Sequence, residues 1–340
     1  MALALFKALP PYFGGKRKMV PQIFRHVPPP GDAPVFVDAF LGGGSVALYA
    51  KARGYRVIAN DIADRAALIG RALIANGRET IAEEDVRSLF VEHAANDHFV
   101  ERYFVPDFFV LRHARIIDNA LAHARSARSS VKRDLLTLLV VHFILRFRPF
   151  GDFHQKGVVE KFASADCDDE NLKLFRGRLG ALFRKPSIEK LRMIAREVNA
   201  GVFSNGYENE MVQADVLDLL DRVEGDVLYL DPPYYGSNAY EEVYAVLDQV
   251  LSGRLEKRPE SRFNQRDAEA ALTALFERAA DFPLWVLSFG GGKISREECL
   301  ALVRRFRKAE AVPVLHRYHY ADAGGQRADQ KEILIIGRKS

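Results

Sequence analysis

The sequence predicts an α/β fold: a mixed sheet of about seven strands with helices on both faces, plus a mainly helical inserted domain. Three observations predict it. Near the start, short apolar runs that stop at an acid or a glycine turn alternate with helix-like stretches, the pattern of βαβ units. The alternation resumes after residue 200, whereas strand signals almost vanish between Asn76 and Val202. Two β-rich runs near the end, parted by a stretch holding Gly324 and Gly325, read as a closing antiparallel hairpin.

Val35-Phe36-Val37-Asp38 is a strand run that ends in an acid and a glycine loop, and Ser45 to Arg53 has helical composition with serine at its start. Arg56 to Asp61 is a second strand run, followed by helix-like sequence from Asp64 to Asn76. Glu83 to Val91, His98 to Arg125 and Val131 to Phe147 read as helical, with Pro106 breaking the middle one. Downstream come a strand from Asp226 to Leu230, a helix from Glu241, a strand from Leu284 to Ser288 and a helix from Ser295 to Arg307. The polar stretch Ser252 to Arg266, with Gly253 and Pro259, reads as a surface loop. Val312 to Tyr320 and Glu332 to Ile336 form the hairpin. Residues 1–76 and 200–340 thus make one domain, and 77–199 the insertion.

At 340 residues, 48% hydrophobic and 28% charged, the chain has ordinary globular composition. Disordered, collagen-like and disulfide-framework classes are excluded. Cys167 and Cys299 have no nearby Cys or His at ligand spacing, so the sequence predicts no metal site and a reducing, cytoplasmic compartment. The longest apolar stretch, Leu135 to Leu145, is interrupted by Thr137 and His142, and His142 is expected to be a satisfied core histidine. No membrane span is predicted. Net charge is only +4, yet Arg112 to Arg148 holds eight Lys or Arg against Asp118 and Asp134. Such a cluster fits a polyanionic partner or merely solvated helix faces.

Phe40-Leu41-Gly42-Gly43-Gly44-Ser45 sits at the first strand-to-helix turn, where glycines let backbone approach a ligand. Asp61 follows Gly42 by 19 residues, the position from which an acid grips ribose hydroxyls. These residues fit a dinucleotide-dependent oxidoreductase and a nucleoside-cofactor methyltransferase equally well. Asp231-Pro232-Pro233-Tyr234 favours the second. The exocyclic amine of a nucleobase is a poor nucleophile because its lone pair is delocalised into the ring. Asp231 supplies a carboxylate acceptor for it, Pro232 a carbonyl whose direction two proline rings restrain, and Tyr234 a ring face for a planar base.

Taken with Tyr12-Phe13-Gly14-Gly15-Lys16 and Asn60-Asp61, in that order along the chain, these motifs resemble the Dam-like (D12 class) adenine-N6 DNA methyltransferases. The resemblance implies a Rossmann-like methyltransferase fold, S-adenosyl-L-methionine as cofactor and double-stranded DNA as substrate, with the target adenine flipped out of the duplex. It implies that Tyr12 and Lys16 pack against the cofactor, that Asp38, Phe40, Gly42 and Gly44 surround its methionine part, that Asp61 holds its ribose and that Asp215 reaches its adenine. Ala39 stands where the family commonly has proline. The insertion corresponds to the target-recognition region, and Arg146, Arg148 and Lys156, in or beside the aromatic and basic run from Phe147 to Lys156, are the expected DNA contacts. A cognate restriction endonuclease is a conceivable partner. Cytosine-N4 methylation, a nicotinamide oxidoreductase and a DNA-binding protein that has lost catalysis are the alternatives.

Overall fold

The computed structural model describes residues 5–12, 14–147, 187–233, 240–256, 263, 268–290, 294–321 and 327–339. Contacts divide the chain into two compact units. One, the sheet unit, comprises Gly14–Gly70, Ser204–Ala239 and Pro259–Ser340; the other, the helical unit, comprises Met1–Phe13, Arg71–Phe203 and Tyr240–Arg258.

The sheet unit carries seven strands: β1 (Val35–Asp38), β2 (Arg56–Asn60), β3 (Glu210–Val212), β4 (Val227–Leu230), β5 (Leu284–Phe289), β6 (Lys308–Ala321) and β7 (Arg327–Arg338). Their order is β3-β2-β1-β4-β5-β7-β6. The first five run parallel, and β7 pairs antiparallel with both β5 and β6. The order is Rossmann-like, as expected, and reverses at β1, which pairs with β2 on one side and β4 on the other. In open α/β sheets the crevice beyond the carboxyl ends of strands at such a reversal is where ligands bind.

Alternation along the strands sends residues to opposite faces. Val37, Leu228, Leu230, Trp285 and Ile335 face one core, packed by Leu275 and Phe276 of the helix Ala268–Arg278 and by Leu302 and Val303 of Arg296–Arg304. Phe36 and Tyr229 lie on the other side with rings 6.4 Å apart, and Phe24 stacks on Phe36 at 5.5 Å. Ser295 caps the helix after β5 in a capping box: its hydroxyl accepts from Glu298 N at 3.1 Å, and Glu298 accepts from Ser295 N at 2.7 Å. β6 begins four residues earlier than its apolar run predicts and carries Pro313, next to a register shift. An edge strand tolerates both.

β3 is the strand that pattern reading misses. Its three residues are exposed or half-buried at the opposite edge of the sheet, so no apolar run marks them. The Gly324–Gly325 turn and part of the 252–266 loop lie outside the described residues. Phe263, in that loop, is buried and meets Phe40 edge-to-face at 5.4 Å.

The helical unit contains Glu83–Ser88, Phe99–Phe104, Leu111–Arg125, Ser130–Phe147, Ile188–Asn199 and Tyr240–Ser252. The expected break at Pro106 separates the second from the third. The Asp118 carboxylate, buried in Leu111–Arg125, accepts from Val100 N at 2.7 Å and Glu101 N at 2.9 Å and so caps the preceding helix. The unit takes in more chain than 77–199. His142, buried as expected, meets the Ala8 carbonyl through Nε2 at 2.9 Å, and the Tyr12 ring stacks on Tyr244 at 5.2 Å. These contacts draw the first residues and Tyr240–Ser252 into the same core. No described helix is long and apolar enough to cross a membrane.

Trp285 anchors the sheet unit through its ring, stacked on Phe276 at 5.4 Å, and its indole N–H, which donates to Ala279 O at 2.9 Å. Trp285→Phe keeps most of the ring and should cost about 1 kcal/mol, whereas Trp285→Ala should cost about 3–5 kcal/mol, read by urea unfolding. Equal losses would show that the hydrogen bond outweighs the packing.

Candidate active site

The glycine loop is shaped by backbone conformations that side chains resist. Gly42 and Gly44 have φ of 49° and 73°, in the left-handed region, and Gly44 leads directly into the helix Ser45–Ala52. Asp61, just beyond β2, accepts from Gly42 N at 2.8 Å through one oxygen and from Ala63 N at 2.9 Å through the other. Gly44 N donates to Leu41 O at 2.8 Å. The acid at the end of β2 therefore builds the loop, and the loop offers close backbone approach.

Asp38 closes β1 and is buried, with Oδ1 lacking a hydrogen-bond partner among the described residues. Burial first, then the charges of Asp231 and Asp61, push its carboxyl well above the usual range. Burial also raises the Asp61 carboxyl, against the N–H bonds of Ala63 and Gly42 and the charge of Arg65. The next residue, Ala39, donates its N–H to Tyr229 O at 3.1 Å, extending the β1–β4 pairing by a bond that a proline could not make.

Asp231 follows β4 directly, at the reversal of strand order. Lys16 Nζ lies 3.0 Å from Asp231 Oδ1, 3.0 Å from Glu332 Oε1 and 3.3 Å from Gly14 O. Lys16 and Glu332 are each only 5% exposed, so the ammonium is held between two carboxylates largely away from water. Pro232 is buried and Pro233 half-buried. Beneath them the Tyr229 hydroxyl shares a 2.8 Å hydrogen bond with Ser288 Oγ, and burial, with the Asp231 charge, pushes its phenol well up.

The sheet thus gathers Asp38, Asp61, Asp231, Lys16, Gly42 and Gly44 at its carboxyl edge. The other expected site residues have these local surroundings. Tyr12 belongs to the helical unit, and Phe40 packs on Phe263. Asp215 N-caps Val216–Leu220, accepting from Leu217 N at 2.9 Å. Arg146 pairs with Glu197, both partly buried. Tyr234, Arg148 and Lys156 lie outside the described residues, as does Cys167. Cys299 is buried, its thiol pushed up to about 12.

The basic cluster is largely paired by acids that its sequence window does not contain. Arg115 meets Glu101 at 3.1 Å, Arg125 meets Asp97 at 3.4 Å and Lys132 meets Asp85 at 2.6 Å. Arg128 and Arg133 are exposed. Glu332 is the site residue that sequence reading missed. At the head of an apolar run it reads as a boundary, and its partner Lys16 is 316 residues away.

Among the described residues, the buried Asp38 and Asp61 carboxyls give the crevice an acidic side suited to a cationic ligand, beside the Asp231 carboxylate and a proline-directed carbonyl suited to an amine. Comparison with known proteins agrees. Residues 12–133 match the family of D12 class N6 adenine-specific DNA methyltransferases. The chain is 29% identical over 328 residues, 96% of its length and 95% of the relative's, to the Type II methyltransferase M2.HphI of Haemophilus parahaemolyticus. It is 29% identical over 147 residues, 40% of its length and 44% of the relative's, to the Type II methyltransferase M.NlaIII of Neisseria lactamica. These matches favour the DNA methyltransferase among the two enzyme classes that the glycine loop alone leaves equal: the chain is similar to D12 class N6 adenine-specific DNA methyltransferases over residues 12–133 and to a Type II methyltransferase over nearly its whole length.

Proposed function

We propose that the enzyme methylates N6 of an adenine turned out of duplex DNA, with S-adenosylmethionine as donor. The observation that carries this reading is the Asp231 carboxylate, fixed by Lys16 at the reversal of strand order and followed at once by the Pro232 carbonyl. The donor supplies an electrophilic methyl on a positively charged sulfur, which leaves as a neutral thioether.

The residues present fit that donor. Asp38, with its unpartnered buried oxygen, and Asp61 supply negative charge for a cationic ligand, and the left-handed turn at Gly42 and Gly44 lets backbone come close. Asp231 and the Pro232 carbonyl accept the two N–H bonds of the target amine, which draws its lone pair out of conjugation. The nitrogen–carbon bond forms as the carbon–sulfur bond breaks, and the pair of carbonyl and carboxylate stabilises the positive charge that develops on nitrogen. Asp231, the anion beside that nitrogen, then takes the surplus proton. Tyr234 gives the extruded base a ring to stack on. Arg128 and Arg133, exposed in the helical unit, join Arg148 and Lys156 as phosphate contacts in this reading, and Arg146 acts through its pair with Glu197.

Asp231→Ala should lower kcat by at least about a hundredfold, about 2.7 kcal/mol, with cofactor affinity nearly unchanged. Expression of both proteins in a methylation-free host, with modified bases identified by mass spectrometry, should give N6-methyladenine for the wild type alone; N4-methylcytosine would overturn the choice of base.

Because their raised carboxyls keep a proton longer, Asp38 and Asp61 should lose protons when a cation binds beside them. S-adenosylmethionine affinity should therefore rise with pH through that range, and calorimetry in buffers of different ionisation enthalpy should give different heats. Identical heats would place the cation elsewhere.

Replacing Arg128 and Arg133 together by Gln should reduce the slope of log affinity against log salt for DNA by up to about one unit per lost phosphate contact. An unchanged slope would return both to solvated helix surface.

A further inference from the structure

Glu332 occupies a position where β7 otherwise sends apolar side chains into the core. Leu334 and Ile336, two and four residues on and therefore on the same face, are each 1% exposed. Glu332 is buried beside them, and its Oε2 has no hydrogen-bond partner among the described residues. A buried carboxylate with an orphaned oxygen is costly, and a leucine there would serve packing better. Among the described residues, its Oε1 meets Lys16 Nζ at 3.0 Å.

We propose that Glu332 is a positioning residue for methyl transfer, acting on Asp231 through Lys16. An ammonium has three protons, and Gly14 O, Asp231 Oδ1 and Glu332 Oε1 offer acceptors at 3.3, 3.0 and 3.0 Å. With both carboxylates present, the long lysine side chain is fixed at each end of its swing, and Asp231 is gripped by Oδ1 in one rotation. Without Glu332, the ammonium is drawn wholly to Asp231, where it competes with the target amine for the same acceptor. Glu332 thus keeps Lys16 at a distance that orients Asp231 without occupying it. This rests on Asp231 being the acceptor of the amine.

Single-turnover rates and S-adenosylmethionine Kd should be measured for the wild type, Glu332→Gln, Lys16→Met, the double variant and Asp231→Ala on one duplex. Glu332→Gln should slow methyl transfer about ten- to a hundredfold with Kd within about twofold, and the double variant should be no slower than Lys16→Met alone. A Glu332→Gln rate within twofold of wild type, or losses that multiply in the double variant, would overturn the proposal, as would a raised Kd with an unchanged rate at saturation. An active Asp231→Ala would instead overturn the reading of Asp231. Should Glu332→Gln fail to fold, Lys16→Met with Glu332→Leu replaces the buried pair by apolar groups; a rate matching Lys16→Met supports the proposal, and a rate near wild type refutes it.

Discussion

The buried ammonium of Lys16 stands between two carboxylates at the point where the sheet reverses its strand order, and it ties the end of β4 to β7. Parallel strands end there in acids: Asp38 on β1, Asp61 after β2 and Asp231 after β4. Burial raises the Asp38, Asp61 and Glu332 carboxyls, and the charge of Asp231 adds to the rise at Asp38 and Glu332. Lys16 lies against Asp231 and Glu332, and the charge of Arg65 acts on Asp61.

The scaffold makes this tolerable by fixing the acids through backbone. Asp61 is tied into the glycine loop by two N–H groups, and Ala39 links the end of β1 to β4. The carboxylates cannot relax apart, because the strands that carry them are hydrogen-bonded in register. Preorganisation of this kind is what electrostatic catalysis requires, since charge developing on the substrate then meets groups that need not reorient.

Much of this was legible in the sequence, and the exceptions have physical causes. β1, β2, β4 and β5 are buried apolar runs bounded by acids and glycines, and Asp38, Asp61 and Asp231 fall where those runs end. β3 is a short edge strand without a buried face, so it leaves no pattern. Asp215, three residues beyond β3, is the N-cap of the next helix, a local role that motif spacing alone does not predict. The excess of arginine and lysine between residues 112 and 148 looked unbalanced because a window in sequence excludes neighbours in space: Glu101, Asp97, Asp85 and Glu197 all lie outside it. Glu332 was hidden for the same reason.

The wide separation of Lys16 and Glu332 along the chain also bears on when the enzyme becomes active. During synthesis the segment bearing Lys16 leaves the ribosome early, whereas β7 emerges 316 residues later and must then insert between β5 and β6. Until it does, the cofactor loop and Asp231 can be in place while the lysine has one carboxylate instead of two. If Glu332 positions Lys16 as proposed, the complete arrangement of the crevice forms only at the last step of sheet assembly.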